Sequence, residues 1–193
     1  MNLFDPLRLR ALALRNRIVV SPMCQYSAVD GRANDWHLVH WGQMLMSGAG
    51  LFTIEATAVS RAGRITPGCL GLYDDGCEEA LTQTLARARA QSPPIPVAMQ
   101  LAHAGRKGSS HVPWEGGHLL SADEGAWQTA APSAIPHAPH ETAPATLDGD
   151  GLVGVRNAFA DSAKRAGRAG IDALELHMAH GYLLHEFLSP VAN

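Results

Sequence analysis

Four short apolar runs, residues 17–20, 51–56, 96–101 and 171–176, alternate with stretches of helical patterning, and this alternation constrains the fold more than any other feature of the chain. The second run, Leu51-Phe52-Thr53-Ile54-Glu55-Ala56, and the third, Pro96-Val97-Ala98-Met99-Gln100-Leu101, are apolar at both odd and even positions. Such strands are covered on both faces, as in a parallel sheet with helices packed over it. After the first run, Asp35 is read as the cap of a helix carrying Leu38, Trp41, Leu45 and Met46, which ends near Gly48 and Gly50. Asp74 or Asp75 opens a second helix through Leu81, Leu85 and Ala88, and Pro93-Pro94 stops it. A third helix covers residues 152–169, with Val155, Phe159, Ala163 and Ala166 on one face, and Gly170 closes it before a buried fourth strand. Ahead of these elements, residues 6–17 read as a hairpin whose leucines plug a core.

The order β-α-β-α-β-loop-α-β suits an open doubly wound sheet or a parallel (β/α)8 barrel of the TIM type. The dinucleotide fold would carry its glycine fingerprint after the first strand, but Ser21-Pro22-Met23-Cys24 stands there, so the barrel is preferred. A complete barrel takes about 250 residues. The 193 residues here hold four strands, so the expectation is one domain over residues 1–193 forming the first half of a barrel, ending in the loop after strand four. Its two open sheet edges would favour association, and the full-length form is expected to be a homo-oligomer. The connection over about residues 105–150 is rich in Pro, Gly, Ser, Ala and His. Loops of that length in a compact domain are usually functional, and this one is read as an excursion or lid bearing Trp114 and Trp127.

Charge narrows the function classes. A net charge of −3 indicates no nucleic-acid footprint, and no apolar run approaches a membrane span. Cys24, Cys69 and Cys77 are an odd number without metal-type spacing, which fits free thiols in a cytoplasmic protein. A small-molecule partner is the default.

Polar residues gather where the strands end. Ser21, Cys24 and Tyr26 follow the first strand, Glu55-Ala56-Thr57 close the second, Gln100, His103, Arg106 and Lys107 close the third, and His177, His180 and Tyr182 follow the fourth. In parallel β/α barrels the chemistry sits at the carboxyl ends of the strands. Each residue has a plainer alternative: Cys24 as a small buried hydrophobe, Glu55 as an ion-pair partner for an arginine, Asp172 as a turn residue. Two imidazoles three positions apart in a turn share a face and can grip one acceptor atom or one metal. A metal-dependent hydrolase using His177, His180 and His103 is therefore one alternative function, although no HExxH is present. A non-catalytic truncated fragment is another.

Taken in order, Ser21-Pro22-Met23-Cys24-Gln25-Tyr26, Glu55-Ala56-Thr57, Gln100-Leu101-Ala102-His103-Ala104-Gly105-Arg106-Lys107, Ala131-Pro132-Ser133-Ala134-Ile135 and His177-Met178-Ala179-His180-Gly181-Tyr182 closely resemble the Old Yellow Enzyme family of FMN-dependent ene-reductases. The cysteine of Ser-Pro-Met-Cys resembles the YqjM-like, or thermophilic-like, branch. The resemblance implies a barrel carrying FMN at its carboxyl rim. Hydride from NADPH, or NADH, would pass through the flavin to the β-carbon of an activated alkene. It further implies that Ser21, Pro22, Met23 and Cys24 lie along the flavin with Ala56 and Gln100, Cys24 tuning its potential. His177 and His180 would bind the substrate oxygen with help from Tyr26, and Tyr182 would protonate the α-carbon. No metal is implied. The family's phosphate-binding loops follow the last two strands of its barrel, beyond the four strands seen here.

Overall fold

The computed structural model describes residues 2–193. Strands β1 (Leu7–Leu9) and β2 (Leu12–Leu14) form an antiparallel hairpin in which Leu7 faces Leu14. Leu14 is 1% exposed and packs with Leu51 and Ala98, flanked by Leu7, Leu12 and Ala173, so the hairpin plugs one end of the sheet as its leucines implied. Next come β3 (Val19–Val20), α1 (Asp35–Leu45), β4 (Leu51–Ala58), α2 (Asp75–Ala90) and β5 (Val97–Ala102). Two-residue strands β6 (Ala130–Ala131) and β7 (Ala145–Thr146) pair in parallel before α3 (Gly149–Arg168), β8 (Ala173–Leu176) and the short α4 (Leu183–Glu186).

The main sheet has the order β3-β4-β5-β8 with every pairing parallel. Its two central strands are buried at every position. Phe52, Ile54, Val97, Met99 and Leu101 share the main core with Trp41 and Leu45 of α1, Leu81 and Leu85 of α2 and Ala166 of α3. Leu51 and Ala98, out of phase with those residues, face the hairpin instead, as the period of two requires. Arg165 bridges Asp75 and Glu78, and Arg168 reaches Glu78, fastening α3 to α2. Asp172 is structural, accepting from Arg89 at 2.9 Å and from the Val97 amide at 2.9 Å.

Several boundaries differ from the sequence reading. Asn34, not Asp35, caps α1: its side chain accepts from the Trp36 amide, while His37 Nδ1 accepts from the Asn34 amide. Asp35 is the first helical residue, where its charge suits the helix dipole. The third helix starts earlier than expected because Asp148 caps it, its Oδ1 taking the Gly151 amide at 2.8 Å. The fourth strand is shorter and is not buried. With β5 as its single strand neighbour, it leaves Leu174 42% and Leu176 52% exposed. The long connection holds three short 3-10 turns and is tied down where Trp127 donates to the Ala62 carbonyl at 3.0 Å and stacks under Arg64.

Candidate active site

Three strand ends and one turn converge on a rim. Past β3, Ser21 and Met23 are exposed, whereas Cys24 and Tyr26 are half-buried. Burial pushes the Cys24 thiol up to about 12 and raises the Tyr26 phenol as well, so both stay protonated at neutral pH. Tyr26 has φ +50° and His180 φ +59°. Left-handed backbone at residues other than glycine is strained and persists where neighbours fix it. Two such residues at one rim mark it as a built site rather than a frayed strand end.

The cluster after β8 is the densest. His177 is buried, and its Nδ1 accepts the Ala179 amide at 3.3 Å, which leaves the ring proton on Nε2 in the neutral form. That nitrogen lies 3.2 Å from His180 Nδ1, so His180 carries its own proton on Nε2. Burial, reinforced by His180, lowers the His177 pKa and keeps the ring neutral. Tyr182 packs edge-on against His177 with ring centroids 4.9 Å apart, and burial lifts its phenol to about 12. Lys107 stands 5.1 Å from the centre of the Tyr182 ring and donates to the His180 carbonyl at 2.9 Å.

A cavity of about 340 Å³ opens beside these groups, lined by Tyr26, Lys107, Ser110, His137 and Tyr182 among others. Trp114, from the long connection, meets the Tyr26 ring edge-on at 5.5 Å. A roomier groove of about 540 Å³ between α1 and α2, lined by Leu38, Val39 and Met46, contains none of the rim residues.

Beneath the rim, Gln100 and Ala56 sit in the sheet at 8% and 6% exposure. Gln100 Nε2 donates to Glu175 at 2.5 Å, since parallel register sets the two residues side by side. Glu55 does not pair with an arginine as its plainer reading had it: Oε2 takes the Gln25 amide at 2.8 Å and Oε1 faces His37 Nε2 at 3.6 Å. His103 is buried, with Nδ1 accepting the Gly105 amide at 3.1 Å. It is therefore committed to its own turn. Among the described residues no group of three or more His, Cys, Asp or Glu side chains is arranged to hold a metal ion. Nor is any described helix long and apolar enough to cross a membrane.

Thus His177, His180 and Tyr182 cluster, Tyr26 shares a cavity with Tyr182, and Ser21, Pro22, Met23 and Cys24 form the adjoining loop. Sequence reasoning passed over Glu186. It is fully buried and its Oε1 accepts the Arg106 amide at 2.9 Å, which fixes the turn that carries Lys107. A charged residue four positions past Tyr182 in an apolar stretch was the available signal.

A family model described as NADH:flavin oxidoreductase / NADH oxidase matches residues 2–193. The chain belongs to this family. An NADH:flavin oxidoreductase of Gibberella zeae is 46% identical over 194 residues, covering 98% of this chain and 46% of that protein. An NADPH dehydrogenase of Bacillus cytotoxicus is 39% identical over 193 residues, covering 99% and 51%. Among solved structures, morphinone reductase superposes with a TM-score of 0.82 at 28% identity over 99% of this chain and 51% of that one. Old Yellow Enzyme from Pichia gives 0.83 at 25% identity, over 100% and 50%. The chain spans about half the length of the curated relatives it matches. The family uses FMN with a nicotinamide nucleotide as donor, and one matched structure is morphinone reductase in complex with tetrahydroNAD. The resemblance to Old Yellow Enzyme and the TIM-barrel fold class are both borne out, the sheet seen here being about half of such a barrel.

Proposed function

We propose that this chain supplies the flavin- and substrate-facing wall of an NAD(P)H-dependent ene-reductase, which saturates the C=C bond of α,β-unsaturated carbonyl or nitro compounds. The observation that carries the reading is the imidazole pair, His177 kept neutral by burial, packed against a protonated tyrosine beside an open cavity. The residues present fit a flat, hydrogen-bonding ring. Met23 offers a 54% exposed thioether, Ala56 keeps the surface low, and Gln100 presents an amide that both donates and accepts. Ser21, Pro22, Met23, Cys24, Ala56 and Gln100 would hold the isoalloxazine.

FMN, when bound, supplies the hydride acceptance and donation that the protein side chains lack. The role of the chain is to position and polarise. His180 Nε2–H is the outward donor of the imidazole pair, and a small turn of that ring frees His177 Nε2–H for the same substrate oxygen. Two N–H donors aimed at one oxygen stabilise the negative charge that grows there as the alkene is reduced. Tyr26 assists at that oxygen. Tyr182 keeps its proton throughout the physiological range and delivers it to the α-carbon, which becomes far more basic than a phenolate. Trp114, edge-on to Tyr26, brings the long connection to the edge of the site. Relatives from Bacillus and Geobacillus accord with the thermophilic-like branch.

Product analysis tests this. The chain incubated with FMN, NADPH and 2-cyclohexenone is expected to yield cyclohexanone, with the yield falling about a hundredfold in Tyr182→Phe, in line with loss of a general acid. Equal yields from the two proteins would contradict the role given to Tyr182, and no ketone from either would contradict the activity.

A further inference from the structure

Two buried polar atoms face each other without a hydrogen bond: Glu55 Oε1 and His37 Nε2, 3.6 Å apart, on side chains 1% and 0% exposed. Neither residue touches the imidazole cluster. Glu55 bonds the loop that carries Cys24 and Tyr26, and His37 bonds Asn34, whose side chain reaches the same loop. Glu55 Oε2 accepts the Gln25 amide at 2.8 Å, between those two residues in the chain. The first turn of α1 holds the same loop by two further bonds, Trp36 Nε1 to Gln25 Oε1 at 3.2 Å and Asn34 Nδ2 to the Ser27 carbonyl at 2.6 Å.

His37 has two ways to share its one ring proton. Its Nδ1 lies 3.2 Å from the Asn34 amide nitrogen, where it accepts, and 3.1 Å from Asn34 Oδ1, to which it can donate. With the proton on Nε2, the ring donates to an ionised Glu55. With the proton on Nδ1, it donates to Asn34 Oδ1, and Nε2 is then ready to accept from a protonated Glu55.

We propose that Glu55 and His37 form a positioning pair for the Cys24–Tyr26 loop, in which uptake of one proton by Glu55 moves the imidazole proton from Nε2 to Nδ1 and so changes how helix α1 grips the loop. The proton balance is complete: one proton enters from solvent on Glu55 Oε1, and the ring keeps one throughout. Burial holds Glu55 at about 7 and His37 at about 4, so the imidazole stays neutral while Glu55 titrates near neutrality. The other titratable groups around the pair are silent there. Cys24 and Cys69 feel Glu55 and are raised by burial, and His40, beside His37, is lowered by burial. The catalytic consequence rests on the ene-reductase reading, but the pair itself does not require flavin or turnover.

Nitrogen NMR of the His37 ring and hydrogen exchange of the Gln25 amide, on the 193-residue chain without FMN, test the pair. In the wild type the ring is expected to switch tautomer as pH crosses about 7, the value burial gives Glu55. Glu55→Gln mimics the protonated acid, because its NH2 obliges His37 Nε2 to accept. The ring should then hold its proton on Nδ1 at every pH while Gln25 stays protected. Glu55→Ala should speed Gln25 exchange about tenfold, the loss of one hydrogen bond, with β5 amides unchanged. A single tautomer across the pH range in the wild type, or a Glu55→Gln ring that still switches, would overturn the proposal. So would unchanged Gln25 exchange in a folded Glu55→Ala. Should Glu55→Ala not fold, the Glu55→Gln result decides.

Discussion

The imidazoles of His177 and His180 face one another, Nε2 to Nδ1 at 3.2 Å, with the Tyr182 ring set edge-on to His177. Burial and the neighbouring His180 both depress the His177 pKa. Replacing His180 with Asn keeps an acceptor for His177 but removes the second ring, so the His177 pKa should move up towards the usual histidine value. NMR titration of the ring reads this directly, and an unchanged value would mean that the two rings do not interact.

Gly105 has φ +61°, and a Cβ there would run into the Glu186 carboxyl group. Gly105→Ala therefore meets both backbone strain and a clash with a fully buried partner. It should cost about 1–3 kcal/mol in urea unfolding, and it should release Lys107 from its contact with the Tyr182 ring. A stability equal to wild type would show that the turn relaxes without Glu186.

Glu186 is buried, and that burial lifts its carboxyl to about 7. A carboxyl raised above its unfolded value contributes stability that is complete below the unfolded pKa, near 4.5, and is lost as pH rises through about 7. Glu186→Gln keeps an acceptor for the Arg106 amide and cannot ionise. Its unfolding free energy should fall less steeply than that of the wild type from pH 5 to 7, the gap widening by about 1–3 kcal/mol. Parallel curves would remove Glu186 from the account.

Leu14, 1% exposed, anchors the hairpin beneath the sheet. Leu14→Ala should destabilise the chain by about 2–5 kcal/mol through lost burial and the cavity left behind. Urea unfolding would show whether the hairpin is a plug or an appendage; a loss under about 0.5 kcal/mol, the range of ordinary surface substitutions, would make it an appendage.

The sequence made the central strands readable because β4 and β5 are buried at every position and are apolar along both faces. The first helix cap was misread because Asn34 and Asp35 are adjacent and both are good capping residues; the backbone geometry chooses Asn34. The exposure of Leu174 and Leu176 was hidden, since an apolar run does not reveal what covers it. The imidazole cluster was legible from spacing, whereas the Glu55 pair was not. His37 and Gln25 lie on separate elements, and only folding brings both to one carboxylate. The Gln100–Glu175 contact was within reach, because parallel register and a period of two set those residues side by side.

The central claim is that the rim of strand ends recognises the flavin ring, and an FMN fluorescence titration tests it most directly. FMN emission should be quenched saturably by the wild-type chain. Gln100→Leu, which removes the amide from the sheet surface, should weaken that binding about tenfold, the worth of one good hydrogen bond. Absence of quenching by the wild type, or equal binding by both proteins, would contradict the assignment of this rim to flavin.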